Sequence, residues 1–289
     1  VDAVPFENRD WRVGFYFNIA HNENKITEMP DNYTEENYTF NNGESADRRE
    51  EGRPMGSFYG YRYKGVCQNK DATYARDADG NVMKDISGNA IVMRNGTATI
   101  APGDALYEDI NHAGVINQYD IVYLGNSNPR FTGGAGVNVS YKQFKLSAIF
   151  YGRYGQDVVN STRLNNESMR GIDNQSTAVL RRWRNEGDQT DIPRALYGEG
   201  YNTLGSDRFV EDASYLRLKS LSFNYRLPKK IIQRWGFSNI DVYVTGYNLF
   251  TWTKYTGQDP EVKTENTYAR DSATTPASIQ LVAGFNLSF

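Results

Sequence analysis

The segment with the most suggestive chemistry in this chain is residues 181–191, where an aromatic side chain stands among charged ones. In chain order it carries Arg181, Arg182, Trp183, Arg184, Glu186, Asp188 and Asp191. An indole can stack on a sugar ring, and an arginine can bind a carboxylate through two parallel hydrogen bonds. One interpretation is therefore a loop that contacts an oligosaccharide or an acidic peptide terminus through Arg181, Trp183, Arg184 and Asp188. The alternative, which we favour, is that these residues brace long loops against each other.

Residues 109–120 have the outline of a calcium-binding loop. Oxygen donors stand at positions one, three and twelve, which are Asp109, Asn111 and Asp120, and a glycine stands at position six. Position five is Ala113, which removes one side-chain ligand, and Asp120 is shorter than the usual glutamate. A Ca2+ ion held by these three residues is one interpretation. An Asn- and Gly-rich turn is the alternative that we favour.

The remaining polar residues give no convincing catalytic constellation. His21 and His112 lie far apart in sequence, and neither belongs to a metalloprotease or phosphate-loop motif. The glutamate pairs at 35–36 and 50–51 are adjacent, and adjacent side chains on an extended chain point in opposite directions. Residues 77–81 read DADGN, which is first of all a turn signal. We therefore predict that the protein is not an enzyme and has no cofactor other than the candidate calcium ion.

Composition narrows the class of protein. Aromatic residues make up 13% of 289 residues, yet the mean hydropathy is -0.67, and no stretch approaches the roughly 18 apolar residues of a spanning helix. The net charge of -3 and the pI of about 5.6 argue against nucleic acid as a partner. Cys67 is the single cysteine, so an internal disulfide is excluded. The chain starts at Val1 without a signal peptide, and we expect a processed or partial chain.

Alternation of apolar and polar residues is the main structural signal. At the end of the chain Ile279, Leu281, Phe285, Leu287 and Phe289 alternate with mostly polar or small residues, which is typical of a strand with one apolar face. Similar runs predict seven strands, at 11–19, 58–65, 135–141, 144–150, 221–227, 240–252 and 279–289. Such strands fit an outer-membrane barrel or a soluble glycan-binding β-sandwich.

The connections between these strands are unequal in length. Two are short, at 142–143 and 228–237, whereas long polar connections are predicted at about 66–131, 155–212 and 253–277. Outer-membrane barrels have short turns on the periplasmic side and long loops outside. Strand parity puts both short turns on one side, which favours the barrel. Residues 21–56 break this rule, and we expect them to fold back toward the lumen.

Six motifs in order resemble the C-terminal barrel portion of the SusC-type (SusC/RagA) TonB-dependent outer-membrane transporters of Bacteroidetes. They are EGRPMGSFYGYRYKGV (51–66), PGDALYEDINHAGVINQYDIVYLGNSNPRFTGG (102–134), RRWRNEGDQTDIPRA (181–195), SDRFVEDASYLRLKSLSFNYRLP (206–228), YVTGYNLFTWTKYTGQDPEV (243–262) and GFNLSF (284–289).

The resemblance implies an all-β fold in which residues 1–289 supply about seven antiparallel strands of a barrel of about 22, not closed on its own and without the plug domain. It implies TonB-coupled import of oligomeric nutrients such as glycans or peptides across the outer membrane of a Gram-negative bacterium. The implied partners are the N-terminal remainder of the transporter with its plug and other strands, a SusD-like lipoprotein lid, the TonB complex, outer-membrane lipid and the oligosaccharide or peptide. The resemblance also implies that the segment of Arg181, Trp183, Arg184 and Asp188 braces the long loops against this lid. The competing interpretation is a secreted or surface glycan-binding sandwich.

Three structural expectations follow. Phe285, Leu287 and Phe289 resemble the signal read by the machinery that inserts barrels. Val137, Val139, Phe223, Tyr225, Phe285 and Leu287 should face lipid, and Asn138, Ser140, Asn224, Arg226 and Asn286 should face the lumen. Strands 11–20 and 279–289 should be unprotected sheet edges that pair with strands of another chain, because unpaired backbone groups in lipid cost several kcal/mol each.

Overall fold

The computed structural model describes residues 1–30, 48–262, 264–265 and 268–289, and seven long strands in it form one antiparallel sheet. These strands are β1 (Asp2–Glu7), β2 (Trp11–His21), β3 (Phe131–Tyr141), β4 (Phe144–Tyr154), β5 (Tyr215–Arg226), β6 (Asn239–Thr253) and β7 (Gln280–Ser288). Each pairs with the next in the chain, and β1 and β7 are the two edges. The predicted all-β fold with an open antiparallel sheet is confirmed.

The membership of the sheet differs from the prediction at one strand. Residues 58–65 are not part of it, and β2 pairs directly with β3. The seventh strand is Asp2–Glu7, which pairs with the other side of β2. Phe58 and Tyr59 are almost fully buried, whereas Arg62 and Lys64 are exposed. The stretch is divided between two four-residue strands, which pair with Val122–Asn126 and Ala105–Tyr107 inside the first long connection. Strand β1 was missed because six residues with a proline give too short an alternation.

This change also corrects the predicted first edge. Strand β2 lies inside the sheet between β1 and β3, so residues 11–20 are not an edge. The actual edge strand contains Pro5 and has an irregular register between Ala3 and Phe6. Proline and bulges are common ways of weakening a sheet edge. The prediction that neither edge carries a proline or a bulge was therefore wrong for the first edge, whereas β7 is the second edge as predicted.

Three short connections meet at one end of the sheet. Residues 8–10 join β1 to β2, where the Asn8 side chain accepts hydrogen bonds from the backbone N–H groups of Asp10 and Trp11. Lys142 and Gln143 join β3 to β4, and Lys142 takes a positive φ of 52°. Residues 227–238 join β5 to β6 through two short helices, Lys229–Ile232 and Gln233–Trp235.

The long connections all leave from the opposite end of the sheet and run over residues 22–130, 155–214 and 254–279. The connection predicted at 66–131 and the exceptional segment 21–56 are thus parts of one connection. The parity exception was wrong, because 58–65 is not a strand of the sheet. The expectation that 21–56 turns toward a lumen stays a prediction, and residues 31–47 of that segment lie outside the described residues.

The two faces of the sheet differ sharply in polarity. The register aligns Phe15, Val137, Ala148, Leu221, Gly246 and Leu281 in one row across β2–β7. The adjacent row, on the other face, is Gly14, Asn138, Ser147, Ser222, Thr245 and Val282. The six residues predicted to face lipid share the first face, and the five predicted to face the lumen share the second. The predicted division of these residues between two faces is confirmed, and contact of the first face with lipid stays a prediction.

The long connections contain shorter elements. Their strands are Ser57–Gly60, Tyr63–Val66, Arg94–Asn95, Ala98–Thr99, Ala105–Tyr107, Val115–Ile116, Val122–Asn126, Asp157–Asn160, Val210–Asp212, Thr264–Glu265 and Tyr268–Asp271. Their helices are Asp71–Thr73, Gln118–Asp120, Ser161–Asn166, Thr177–Arg181, Tyr201–Thr203 and Asp207–Phe209. No helix in the described part of the chain is long and apolar enough to cross a membrane.

Most of the buried apolar side chains lie in these connections. We call residues 57–126 the connection body, and Leu204 packs into its core. That core consists of Tyr59, Tyr61, Cys67, Ala75, Met93, Ile100, Ala105, Tyr107, Ile116, Ile121 and Leu204. Burial raises the pKa of Tyr61 to about 12 and that of the Cys67 thiol to about 11. Cys67 therefore behaves as a small apolar core residue at neutral pH.

Candidate functional site

Trp183 packs against the connection body. Gly103, which has a φ of +90°, lies under the indole, and a Cβ atom at that glycine would come within 2.3 Å of the ring. The backbone N–H of Trp183 donates to the carbonyl of Ile192 at 2.9 Å. The ring is half-buried. This geometry matches the bracing interpretation of the segment, because the indole is already covered on one face by the chain itself.

The buried carboxylate of Asp104, next to Gly103, also joins the connection body to the segment that contains Arg194 and Asn202. Asp104 is fully buried and accepts two hydrogen bonds from the Arg194 guanidinium, at 2.7 and 3.1 Å. It also accepts one from the side chain of Asn202 at 3.1 Å. The hydrogen bond to Asp104 raises the pKa of Arg194. Asp104 and Arg194 both lie in the motifs quoted above, but nothing in the sequence indicates that they contact each other across 90 residues.

Arg184 and Asp188 form a local turn. The Asp188 carboxylate accepts the backbone N–H groups of Arg184 at 2.8 Å and Asn185 at 3.0 Å. The bonds from Asn185 and then Arg184 lower the pKa of Asp188. The Arg184 guanidinium donates to the Leu180 carbonyl. These two residues are thus engaged in shaping the loop, and Arg181, Trp183, Arg184 and Asp188 do not converge on one point.

The three candidate calcium ligands are held by backbone donors. Asp109 accepts the N–H groups of Ala113 and Gly114, and Asn111 also accepts that of Ala113. Asp120 is fully buried and accepts the N–H groups of Ile110 and Asn117, both at 2.8 Å. Within the described residues no group of three His, Cys, Asp or Glu side chains has the arrangement of a metal site. Calcium binding by this loop stays a prediction.

A second charged cluster, after that of Asp104 and Arg194, joins the end of the connection 155–214 to its beginning. Glu167 pairs with Arg163 at 3.0 Å and with Arg208 at 2.8 Å, and Arg163 also pairs with Glu211 at 3.2 Å. The Arg208 and Glu167 side chains are only 4% and 6% exposed. Such buried charges depend on each other, since removing one partner leaves the other uncompensated. Sequence reasoning missed this cluster because its members are charged residues that form no recognisable motif along the chain.

A third charged cluster fixes the last long connection onto the polar face of the sheet. Arg217 of β5 is 3% exposed and pairs with Asp259 and, at 2.8 Å, with Glu261. Lys219 reaches Glu261 at 2.9 Å. The segment around Asp259 is therefore held over the face that carries the predicted lumen residues.

A polar cavity of about 530 Å³ lies beside the second cluster. Its walls come from the helix Ser161–Asn166, the helix Thr177–Arg181 and the connection after β6. Arg181 is the one residue of the predicted contact set that lines it. The size of the cavity is within the range of about 300–1,000 Å³ that is typical of ligand sites with a few convergent polar groups.

The three residues of the predicted assembly signal lie on or next to the edge strand β7. Phe285 and Leu287 share the apolar face and are 68% and 41% exposed. Phe289 follows the strand, is 90% exposed, and its ring lies 4.9 Å from that of Phe237. Recognition by an insertion machinery stays a prediction.

Comparison with known proteins shows that the chain is similar to TonB-dependent receptors. It is 32% identical to TonB-dependent receptor P3 of Formosa agariphila over 276 residues, which cover 92% of this chain and 25% of that protein. It is 25% identical to TonB-dependent receptor SusC of Bacteroides thetaiotaomicron, with 100% of this chain and 26% of that protein covered. The chain thus spans about a quarter of the length of these relatives. No family model matches the chain.

Solved structures give the same answer for the fold. A structure of the RagAB peptide transporter superposes with a TM-score of 0.72 at 25% identity, covering 100% of this chain and 28% of the other. The RagAB peptide importer in its 'closed-closed' state gives a TM-score of 0.70. The open seven-stranded sheet therefore corresponds to part of the barrel of such a receptor.

Proposed function

We propose that this chain, whose sequence and fold are those of a portion of a SusC-type TonB-dependent receptor, forms part of the wall of an outer-membrane barrel that imports oligomeric nutrients. The transported molecules would be glycans or peptides, and transport would be driven through TonB. A SusD-like lipoprotein would close the outer end of the barrel. The protein acts as a transporter and not as an enzyme.

The observation that carries this proposal is the exposed apolar face of the seven-stranded sheet. Phe15, Phe223, Val244 and Phe285 on that face are 42%, 46%, 48% and 68% exposed. In water such a face would be covered by a second layer, as in a β-sandwich. Within the described residues no second sheet of similar size covers it. A bilayer is the solvent in which this arrangement is stable, since barrel strands alternate between apolar and polar residues toward lipid and lumen.

The sheet edges support a larger barrel. Strands β1 and β7 each have one neighbour in the described structure, and open edges in hydrocarbon leave backbone groups without partners. Further strands of the transporter would pair with both edges and close the barrel. The polar face would then surround the lumen, with Arg217 and its partners lining the interior.

The position of the long connections supports uptake from the cell surface. In barrels of this kind long loops lie outside and short turns lie in the periplasm. By this rule the connections 22–130, 155–214 and 254–279 rise into the medium, where they would meet the lipoprotein lid and the substrate. The related RagAB proteins are described as a peptide transporter, and SusC is a TonB-dependent receptor.

The proposal is tested in cells that carry the full transporter. We expect the protein in the detergent-extractable outer-membrane fraction, and we expect deletion of its gene to abolish uptake of one class of labelled oligomer. Dissipating the proton-motive force should abolish that uptake in the same way. A protein recovered in the soluble fraction, or oligomer uptake unaffected by the deletion, contradicts the proposal.

A further inference from the structure

The polar cavity beside Arg181 is lined by three segments of the chain. It lies between the helices Ser161–Asn166 and Thr177–Arg181 and the connection after β6, which contributes Thr256, Gln258 and Asp271. The two helices are joined by a hydrogen bond from the backbone N–H of Ser176 to the carbonyl of Asn166 at 3.0 Å. The cavity therefore has walls whose positions are fixed by the chain itself.

The carboxylates that line the cavity are already engaged. Glu167 is held by Arg163 and Arg208. Asp271 accepts the hydroxyl of Tyr255 at 2.5 Å and the backbone N–H of Ala273 at 3.0 Å. Because these negative charges are satisfied by internal donors, they repel an incoming anion less than free carboxylates would.

The side chains left for a ligand are mainly donors. In the described part of the chain, Arg181, Asn166 and Gln258 line the cavity without any side-chain hydrogen bond or ion pair of their own. A guanidinium offers five N–H groups and no acceptor, and each amide adds two more donors and one acceptor. The free hydrogen-bonding capacity of the cavity therefore suits a ligand rich in acceptors.

Among the described residues, no contact of the Arg181 side chain stabilises the helix to which it belongs. Its helix is begun by Ser176, whose hydroxyl accepts the N–H of Ala178 at 3.2 Å, and is anchored by Val179, which packs with Met169 and Ile192. Arg181 itself is exposed at the helix end. The helix thus places Arg181 at the cavity, and among the described residues its guanidinium has no hydrogen-bond or ion-pair partner.

We propose that this cavity binds a carboxylate group of the transported oligomer, with Arg181 as the residue that pairs with it. The proposal rests on the import function proposed above. Arginine matches a carboxylate through two parallel hydrogen bonds, which gives both strength and orientation. Asn166 and Gln258 then bind neighbouring hydroxyl or amide groups of the same ligand. The carboxylate belongs either to a uronic-acid unit of an oligosaccharide or to an acidic residue or terminus of a peptide.

The test uses the full transporter that carries this chain, purified with its lipoprotein, and measures binding by titration calorimetry. Four ligands form two matched pairs: an oligosaccharide that contains a uronate and its carboxyl-reduced form, and an acidic peptide and its amidated form. The variants are Arg181→Gln and Arg181→Lys. Arg170→Gln is the control, because Arg170 is exposed in the same connection and does not line the cavity.

We expect Arg181→Gln to weaken binding of the carboxylate member of one pair by about tenfold or more, since hydrogen bonds between charged groups are the strong ones. Its neutral counterpart should bind the variant and the wild type alike, Arg181→Lys should lose less, and Arg170→Gln should change nothing. The pair that responds identifies the source of the carboxylate.

Three results would overturn the inference. Unchanged carboxylate binding in Arg181→Gln, or an equal loss for the charged and neutral members of a pair, contradicts it directly. A wild-type transporter that binds only neutral oligomers contradicts the carboxylate inference and leaves the import proposal standing. A wild-type transporter that binds no oligomer of either kind contradicts both.

Discussion

The seven-stranded sheet and the long connections use apolar side chains in opposite ways. On the sheet, Phe223 and Phe285 are 46% and 68% exposed, whereas in the connection body Phe58 and Tyr59 are 0% and 1% exposed. Both regions are rich in aromatic residues, so composition does not separate them. The difference teaches that one chain uses two arrangements of apolar side chains: the sheet leaves its apolar face exposed, as barrel strands do toward lipid, and the connections bury theirs as a water-soluble domain does.

The largest expected effect falls on the connections. Glu167→Ala should leave Arg163 and the nearly buried Arg208 without their shared partner, and breaking a buried pair costs about 3–5 kcal/mol. We expect the connection 155–214 to become protease-sensitive at temperatures where the sheet is intact. Limited proteolysis of the full transporter measures this, with Glu186→Ala as the exposed control. Equal protection in the two variants would mean that the buried cluster does not hold this connection.

The next effect tests the sheet. Val139→Lys places a charge on the apolar face, two residues before the end of β3. Such a charge costs about 2–4 kcal/mol at mid-bilayer depth and less toward the interfaces. Ser140→Lys places the same charge on the polar face beside Arg12 and Lys145, where only modest repulsion is expected. The fraction of heat-modifiable, folded transporter in outer membranes reports the difference. Equal tolerance at the two positions would contradict the assignment of faces.

A smaller effect tests how closely Trp183 packs against the connection body. Gly103→Ala combines a φ of +90° with a clash against Trp183, whereas Gly187→Ala has a φ of +100° with no atom within 4 Å of the new methyl group. Backbone strain of about 1–3 kcal/mol applies to both, so any further loss in Gly103→Ala measures the packing of Trp183. Thermal unfolding followed by tryptophan fluorescence gives the comparison. Identical losses would show that the indole does not brace the loops.

The smallest effect concerns the end of β7. Removing Phe289 deletes the ring contact with Phe237, and an aromatic pair contributes about 0.5–1.5 kcal/mol beyond its buried area. We expect a lower amount of folded transporter in the outer membrane, because the aromatic end is also the predicted assembly signal. Phe289→Tyr should restore most of it. Quantitative blotting of outer membranes is the measurement, and an unchanged amount in the deletion strain would refute the role.

The accuracy of the strand predictions followed the environment of each strand. Strands β2 to β7 were found because one face is apolar and the other polar over many residues, so the alternation persists along the sequence. Residues 58–65 were misassigned because only 58–61 are buried on both sides, and the short alternation that follows belongs to a separate strand pair of the connection body. Asp2–Glu7 was missed because it is short and contains Pro5. The alternation reports two unlike surroundings, and where these are absent it carries no signal.

The candidate site was only partly accessible to sequence reasoning. Arg181 and Trp183 are two residues apart, yet Arg181 lines the polar cavity while Trp183 packs on Gly103. Asp104 and Arg194 meet across 90 residues of sequence. No local pattern of residue types indicates either outcome, because both depend on how separate connections fold against each other.

The sequence by itself determined the class of protein, the six longest strands, the face that each of their residues occupies and the connections that had to be long. These are consequences of local periodicity, which a strand expresses wherever it lies. Only the tertiary structure decided which strand forms the first edge, that the first long connection contains a packed core, and which charged residues pair. Those outcomes depend on contacts between distant segments, where burial and desolvation select among many partners of the same chemical type.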